Sequence, residues 1–268
     1  MSLHHDIQDG FSVLIPTWNN LKYVQACVRS IRDYSRFPHE IVLHINEGTD
    51  GTLEWAQSEG LKFTYTKNNV GVCESMNAAF SISSRKQTIY FNDDMFALPS
   101  WDVELALFAS ARDIGTNEAF ISSTMIEPRG DNPCCLAPRD YGQSIETFRE
   151  SDLIKDLTAL REQSPNRKGS TWPPCIVSRD NWIKVGGYST EFSPGFGSDP
   201  DLAKKLYDVG IRKFVGVGRS LVYHFICKTT KVKNFVHNNG DATFERIHGM
   251  SIGKFVHNVL HRGEECND

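Results

Sequence analysis

Apolar positions over the first ninety residues switch repeatedly between two periods. Residues 11–15, Phe-Ser-Val-Leu-Ile, predict a buried strand ended by Pro16. Leu21, Val24, Cys27, Val28 and Ile31 then recur at helical spacing, with Asn19 or Asn20 placed to cap them. Residues 40–45 predict a second strand, and Thr49-Asp50-Gly51 supplies turn or cap chemistry ahead of a short helix over 53–58. A third strand over 62–66, a helix over 72–83 and a fourth strand over 87–91 complete the series. Such strand–helix steps predict an α/β fold: a Rossmann-like, mainly parallel sheet flanked by helices. Ligands of these sheets bind beyond the carboxyl ends of the strands. The chemistry is therefore expected in residues 16–20, 46–50, 68–71 and 92–94, all of them polar.

The second half is less regular. Strands are expected over 118–124, 172–177 and 211–225, and a helix over 199–209. Residues 126–170 are rich in Pro, Gly, Arg and Asp around one amphipathic stretch, 145–160, and read as an insertion of the binding-loop or lid type. The basic and aromatic tail, 226–268, is expected to be a helical extension packed over the core.

Composition narrows the function classes. The 268 residues carry 29 Lys plus Arg against 33 Asp plus Glu, a formal net charge of -4, with 40% hydrophobic residues. A chain of this balance folds around a core and is not disordered. Weak acidity argues against a nucleic-acid partner, Lys228, Lys231 and Lys233 forming only a local basic patch. No apolar run approaches the ~20 residues of a membrane span, and the polar first ten residues lack the apolar core of a signal peptide. The seven cysteines are odd in number, irregularly spaced and without a CxxC, so free thiols and a cytoplasmic location are expected.

Three places could carry chemistry. Asn92-Asp93-Asp94 follows a strand, where adjacent carboxylates either cap a turn or hold a hard cation such as Mg²⁺ or Mn²⁺. Asp199 and Asp201 open a helix after Gly195-Phe-Gly-Ser198, as dipole-compensating acids or as a general base. His224 ends an apolar run, as a core residue or a metal ligand. Trp18 is placed either to fill a core or to stack on a base, and 68–71 either as a turn or as backbone approaching a phosphate.

The order of these motifs resembles the family 2 glycosyltransferases of the GT-A fold. It runs Val13-Leu-Ile-Pro-Thr-Trp-Asn19, Asn46-Glu-Gly-Thr-Asp-Gly-Thr52, Asn69-Val-Gly-Val-Cys-Glu-Ser-Met-Asn77, Asn92-Asp-Asp94, Val185-Gly-Gly-Tyr188, Phe196-Gly-Ser-Asp-Pro-Asp-Leu202 and Val222-Tyr-His224. The resemblance implies a GT-A domain over 1–225, with a nucleotide-sugar half (11–115), a smaller acceptor half (116–225) and the tail beyond. It implies an inverting, metal-dependent hexosyltransferase using a nucleotide-diphosphate donor, UDP by family habit, and a glycan or other hydroxyl acceptor. Pro16, Thr17 and Trp18 would line the nucleoside pocket, joined by Asn19, Asn69, Gly71 and Asn77. Asn92 and Asp93 would contact ribose or sugar, and Asp94 and His224 would hold Mn²⁺ or Mg²⁺. Gly186 and Gly187 would flank the acceptor, with Asp199 as base and Asp201 behind it.

The sequence departs from the family pattern at three points. Two acids usually open the second motif; here Ile45-Asn46-Glu47 runs one residue short and leaves base reading to Asn46 or Glu47. Ser198 stands where Glu commonly precedes the base, and Lys204 or Lys205 would replace a missing arginine. These departures favour one rival, a GT-A-like module that binds nucleotide or glycan without catalysis. A nucleotidyltransferase lacks its Gly-rich basic loop here, and a dinucleotide oxidoreductase its GxGxxG.

Overall fold

The structure is a computed structural model that describes residues 2–226 and 238–266. Cys227, Lys228, Lys231 and Lys233 lie outside the described residues. The chain opens with a short helix, α1 (Leu3–Gln8), which the sequence pattern did not indicate; it buries Leu3 and Ile7 in the core. Then come β1 (Ser12–Trp18), α2 (Leu21–Tyr34), β2 (Glu40–Asn46), α3 (Thr52–Ser58), β3 (Lys62–Thr66), α4 (Gly71–Ile82) and β4 (Gln87–Tyr90), close to the expected series. β1 does not stop at Pro16. It pairs with β2 through Trp18, but with β4 only over Ser12–Leu14. Beyond Leu14 it has a neighbour on one side only, so the missing N–H of Pro16 costs the sheet little. The cap of α2 differs as well: Asp50, not Asn19 or Asn20, accepts the N–H of Leu21 at 2.8 Å.

The remaining elements are β5 (Met95–Ala97), α5 (Trp101–Ala111), β6 (Ala119–Ile126), α6 (Glu150–Glu162), β7 (Arg167–Lys168), β8 (Cys175–Ser178), α7 (Arg179–Val185), α8 (Ser198–Asp208), β9 (Lys213–His224) and α9 (Gly240–His248). β8 starts later than expected because Pro173 and Pro174 cannot donate to a ladder. The strands form one sheet in the order β3-β2-β1-β4-β8-β6-β9-β5, with β7 beside β9. Most paired positions run parallel; β8, β5 and β7 enter antiparallel. Chain order reverses direction between β1 and β4, which is where a crevice opens in sheets of this kind.

The sheet separates two apolar layers. Phe11, Val28, Trp101 and Leu105 pack on one face. Leu14, Met76, Trp182, Leu202 and Leu206 pack on the other, joined by Phe244, Phe255 and Leu260 of the tail. The segment expected as an insertion carries α6, whose Leu153, Leu157 and Leu160 cover Phe96, Tyr223 and Phe225. Burying such side chains contributes about 1.5–3 kcal/mol each, enough to fix α6 on the sheet edge. The six cysteines among the described residues are free, and no helix among them is long and apolar enough to cross a membrane.

Candidate active site

Where β1 and β4 part, a cavity of about 390 Å³ opens, within the range of small-ligand sites. Pro16, Thr17 and Trp18 form one wall, and Asn92, Asp93 and Asp94 another. Asn46, Asn69, Gly71, Ser75 and Tyr90 contribute more of the surface, and Asp199 and His224 border the same space. Thr17 ties the two walls together by donating to Asp93 Oδ2 at 2.8 Å. Asn46 is buried and its side chain is committed to neighbouring segments: it donates to Thr17 O and Ser75 Oγ and accepts from Val70 N at 2.9 Å. Its amide thus fixes the ends of three elements around the cavity. Asn69 accepts the N–H of Gly71 in an Asx turn at the start of α4. Gly71 has φ 78°, and a Cβ there would meet Pro194 Cα at 2.7 Å, so only glycine permits that approach.

Asp94 and His224, 130 positions apart in the chain, meet because β5 pairs antiparallel with the end of β9, setting Met95 against His224. His224 Nε2 stands 3.4 Å from Asp94 Oδ1, and Nδ1 stands 2.8 Å from Glu127 Oε1. Burial lowers the imidazole pKa, but Asp94 and Glu127 outweigh it and raise it to about 10. No cluster of three or more metal-ligating side chains occurs among the described residues. Two donors nevertheless suit Mg²⁺ or Mn²⁺, which keep water and phosphate oxygens in most positions. Glu127 on Nδ1 stands where an outer contact would orient the imidazole were it to ligate a metal. The sequence pattern gave no sign of Glu127, which reaches the site only through the β6–β9 register.

Asp199 lies in the first turn of α8 and lines the same cavity. Burial pushes its carboxyl up to about 6, against the pull of the Tyr188 hydroxyl and of Arg262. Tyr188 is itself buried and donates to Asp199 Oδ1 at 3.2 Å.

Six of the expected contact residues lie outside the lining. Asp201 is fully buried; it accepts from Ser189 Oγ and pairs with His248 Nε2, both at 2.7 Å, with Lys205 Nζ at 3.5 Å. Asn77 holds the turn before Ser189, accepting from Tyr188 N at 2.9 Å and donating to Tyr188 O at 2.8 Å. Gly187 must be glycine there, because a Cβ would strike Asn77 and Trp182, while Gly186 ends α7 in the left-handed region. Asn19 and Glu47 bond each other at 2.9 Å and join the loops after β1 and β2. The two lysines are also engaged elsewhere: Lys204 with Asp208, and Lys205 with Gly187 O and Ser189 Oγ. Ser198 turns back to Gly195 O at 2.7 Å.

Residues 12–154 match the model of glycosyl transferase family 2. No curated protein sequence matches the chain significantly. The fold is similar to that of S. aureus TarS 1–349, with a TM-score of 0.58 at 16% identity over 80% of this chain and 60% of that one. Its complex with UDP-GlcNAc superposes with a TM-score of 0.56 at 15% identity over 80% of this chain and 58% of that one. The mannosyltransferase PcManGT from Pyrobaculum calidifontis, in complex with GDP-Man and Mn²⁺, gives 0.53 at 16% identity over 82% of this chain and 58% of that one. The chain thus spans about three fifths of the length of these structures. These likenesses fix the fold as GT-A. The family model covers more than half of the residues and ends in the segment that supplies Glu127, so the chain belongs to the family 2 glycosyltransferases.

Proposed function

We propose that the chain transfers a hexose, with inversion, from a nucleotide-diphosphate donor, UDP-linked in the first instance, to a hydroxyl of a glycan or similar acceptor. The observation that carries the reading is that Asp94, His224 and Asp199 border one cavity. Two acidic groups from distant parts of the chain on one cavity suit a reaction with a leaving side and an attacking side. TarS and PcManGT, similar in fold, bind UDP-GlcNAc and GDP-Man, which supports a nucleotide-sugar donor.

On the leaving side, Pro16, Thr17 and Trp18 receive the nucleoside, and Asn92 and Asp93 its ribose or sugar. Asn69 and Gly71 face the diphosphate. Asp94 and His224 hold a divalent cation, Mn²⁺ or Mg²⁺; when bound, it supplies Lewis-acid stabilisation of charge developing on the diphosphate. On the attacking side, Asp199 takes the proton of the acceptor hydroxyl as its oxygen bonds the anomeric carbon. The bond from that carbon to the diphosphate oxygen breaks, and its electron pair leaves with the nucleotide. Attack from the face opposite the leaving group inverts the centre. Asn46 and Asn77 act at one remove, holding the loops that carry these groups.

Titration calorimetry with UDP, with and without Mn²⁺, tests the leaving side. Wild-type protein is expected to bind UDP at least tenfold tighter with Mn²⁺, and Asp94→Ala and His224→Ala to lose that difference. Equal affinity in both conditions for the wild type rejects the metal site. Turnover of a nucleotide sugar with any acceptor separates the enzyme from a binding module.

A further inference from the structure

We propose that Phe196 is the platform of an acceptor subsite that takes the apolar face of a neutral pyranose ring. The inference rests on the transfer reading for the identity of the acceptor but on its own observations for the subsite. Five large hydrophobic side chains are exposed among the described residues. Tyr65, Leu107, Ile183 and Ile247 belong to an edge strand or to helices. Phe196, 54% exposed, sits on a loop and borders the cavity that holds Asp199.

An exposed ring on a mobile loop would mean little, and this loop is held from both sides. Val72 N donates to Pro194 O at 2.9 Å, and Gly71 is packed against Pro194. Ser198 closes on Gly195 O. From the tail, Asn238 grips both backbone groups of Phe196: its Oδ1 accepts the N–H at 3.2 Å and its Nδ2 donates to the carbonyl at 2.8 Å. A Cβ on Gly240 would strike the Phe196 carbonyl, so the tail lies directly on the loop. A bidentate side-chain amide and a glycine thus fix a ring that rests one edge on Gly240 and leaves about half its surface open.

The surroundings select the ligand class. The charged side chains lining the cavity among the described residues are three carboxylates, Asp93, Asp94 and Asp199, against one imidazole, His224, which Asp94 and Glu127 already engage; the acidic excess disfavours an anionic group beside Phe196. A pyranose presents C–H bonds to an aromatic face and hydroxyls to a carboxylate. Phe196 stands three positions before the proposed base and lines the same cavity, so a sugar stacked on the ring would share that space with Asp199.

The test is a saturation-transfer NMR titration of the full chain, with and without UDP and Mn²⁺. The probes are the methyl glycosides of glucose, galactose, mannose and N-acetylglucosamine, with methyl glucuronide as the anionic counterpart. At least one neutral glycoside is expected to bind, and Phe196→Ala to weaken it about tenfold, the scale of an aromatic contact. Phe196→Trp is expected to keep the affinity, and Asn238→Ala to lose part of it by freeing the ring. No saturable binding by any neutral glycoside, equal affinity in Phe196→Ala, or a preference for the glucuronide overturns the subsite. Failure of UDP to bind while the glycosides follow Phe196 overturns the donor reading and leaves the subsite supported.

Discussion

The buried hydroxyl of Tyr188 donates to Oδ1 of Asp199 at 3.2 Å, so the proposed base is held by the turn that follows α7. Opposed influences act on that carboxyl: burial raises its pKa to about 6, while the Tyr188 bond and, after it, the charge of Arg262 restrain the rise. A base acts only when ionised, so transfer is expected to increase with pH through about 6 and level off above it. Tyr188→Phe removes the first of these restraints and is expected to move the acid limb of the rate profile to higher pH. Asp199→Asn is expected to lower transfer by about 10²–10⁴-fold while keeping Mn²⁺-dependent UDP binding. Stability should change in the opposite sense. The folded carboxyl binds its proton more tightly than the unfolded one, so burial of the ionised group destabilises the fold above pH 6 and not below 4. The asparagine variant should therefore gain melting temperature at pH 8 but not at pH 4. A flat rate profile across pH 5–8, or undiminished transfer by the asparagine variant, removes Asp199 from the role.

Asp201, two residues on, has a different fate. Its carboxylate meets Ser189, His248 and Lys205 and is closed to solvent. It joins α8, the turn after α7 and the end of α9, and thereby anchors the tail. Removing one member of a buried ion pair costs about 3–5 kcal/mol, because the partner stays buried without compensation. Asp201→Ala is expected to lower stability by that order in urea unfolding, and His248→Ala by less. The affinity for UDP measured below the new melting point should be the readout that changes least. Wild-type stability with weakened UDP binding would return Asp201 to the ligand-contacting set.

These two acids show where the sequence was legible and where it was not. Both stand in the first turn of a helix after a Gly-rich loop, and no local signal separates them. What separates them is the tail: His248 bonds Asp201 from 47 positions away, whereas among the described residues the tail acts on Asp199 only through the charge of Arg262. The first four strands could be read because each buries residues chosen by its own short pattern, and the polar segments at their ends fell where parallel topology puts a crevice. Asp94 and His224 could be named from motif order, but their partner Glu127 depends on strand register. Asn77, Gly186 and Gly187 looked like contacts because they sit in motifs; their chemistry is spent on the turn that carries Tyr188. By sequence Phe196, like Tyr141 and Trp172, could either stack on a sugar or fill a core, with core packing favoured for each, and its exposure is what sets it apart from the buried Trp172.

His44 lies in the middle of β2, 1% exposed, with its ring nitrogens 2.8 Å from Thr64 Oγ1 and 3.2 Å from Thr66 Oγ1. Burial lowers its pKa to about 4, with the Asn46 side chain opposing weakly. The unfolded chain therefore takes up a proton at higher pH than the folded one, and stability must fall as pH drops from about 6.5 towards 4. Between pH 7 and pH 5 the loss attributable to this ring is about 2 kcal/mol. Asp199 and His224 also titrate, so the contribution is isolated by comparing wild type with His44→Asn in urea unfolding at the two pH values. The wild type is expected to lose about 2 kcal/mol more than the variant on acidification. Equal losses would mean that the imidazole finds water or a proton acceptor inside the sheet, and that the β2–β3 pair is looser around His44 than its hydroxyl contacts imply.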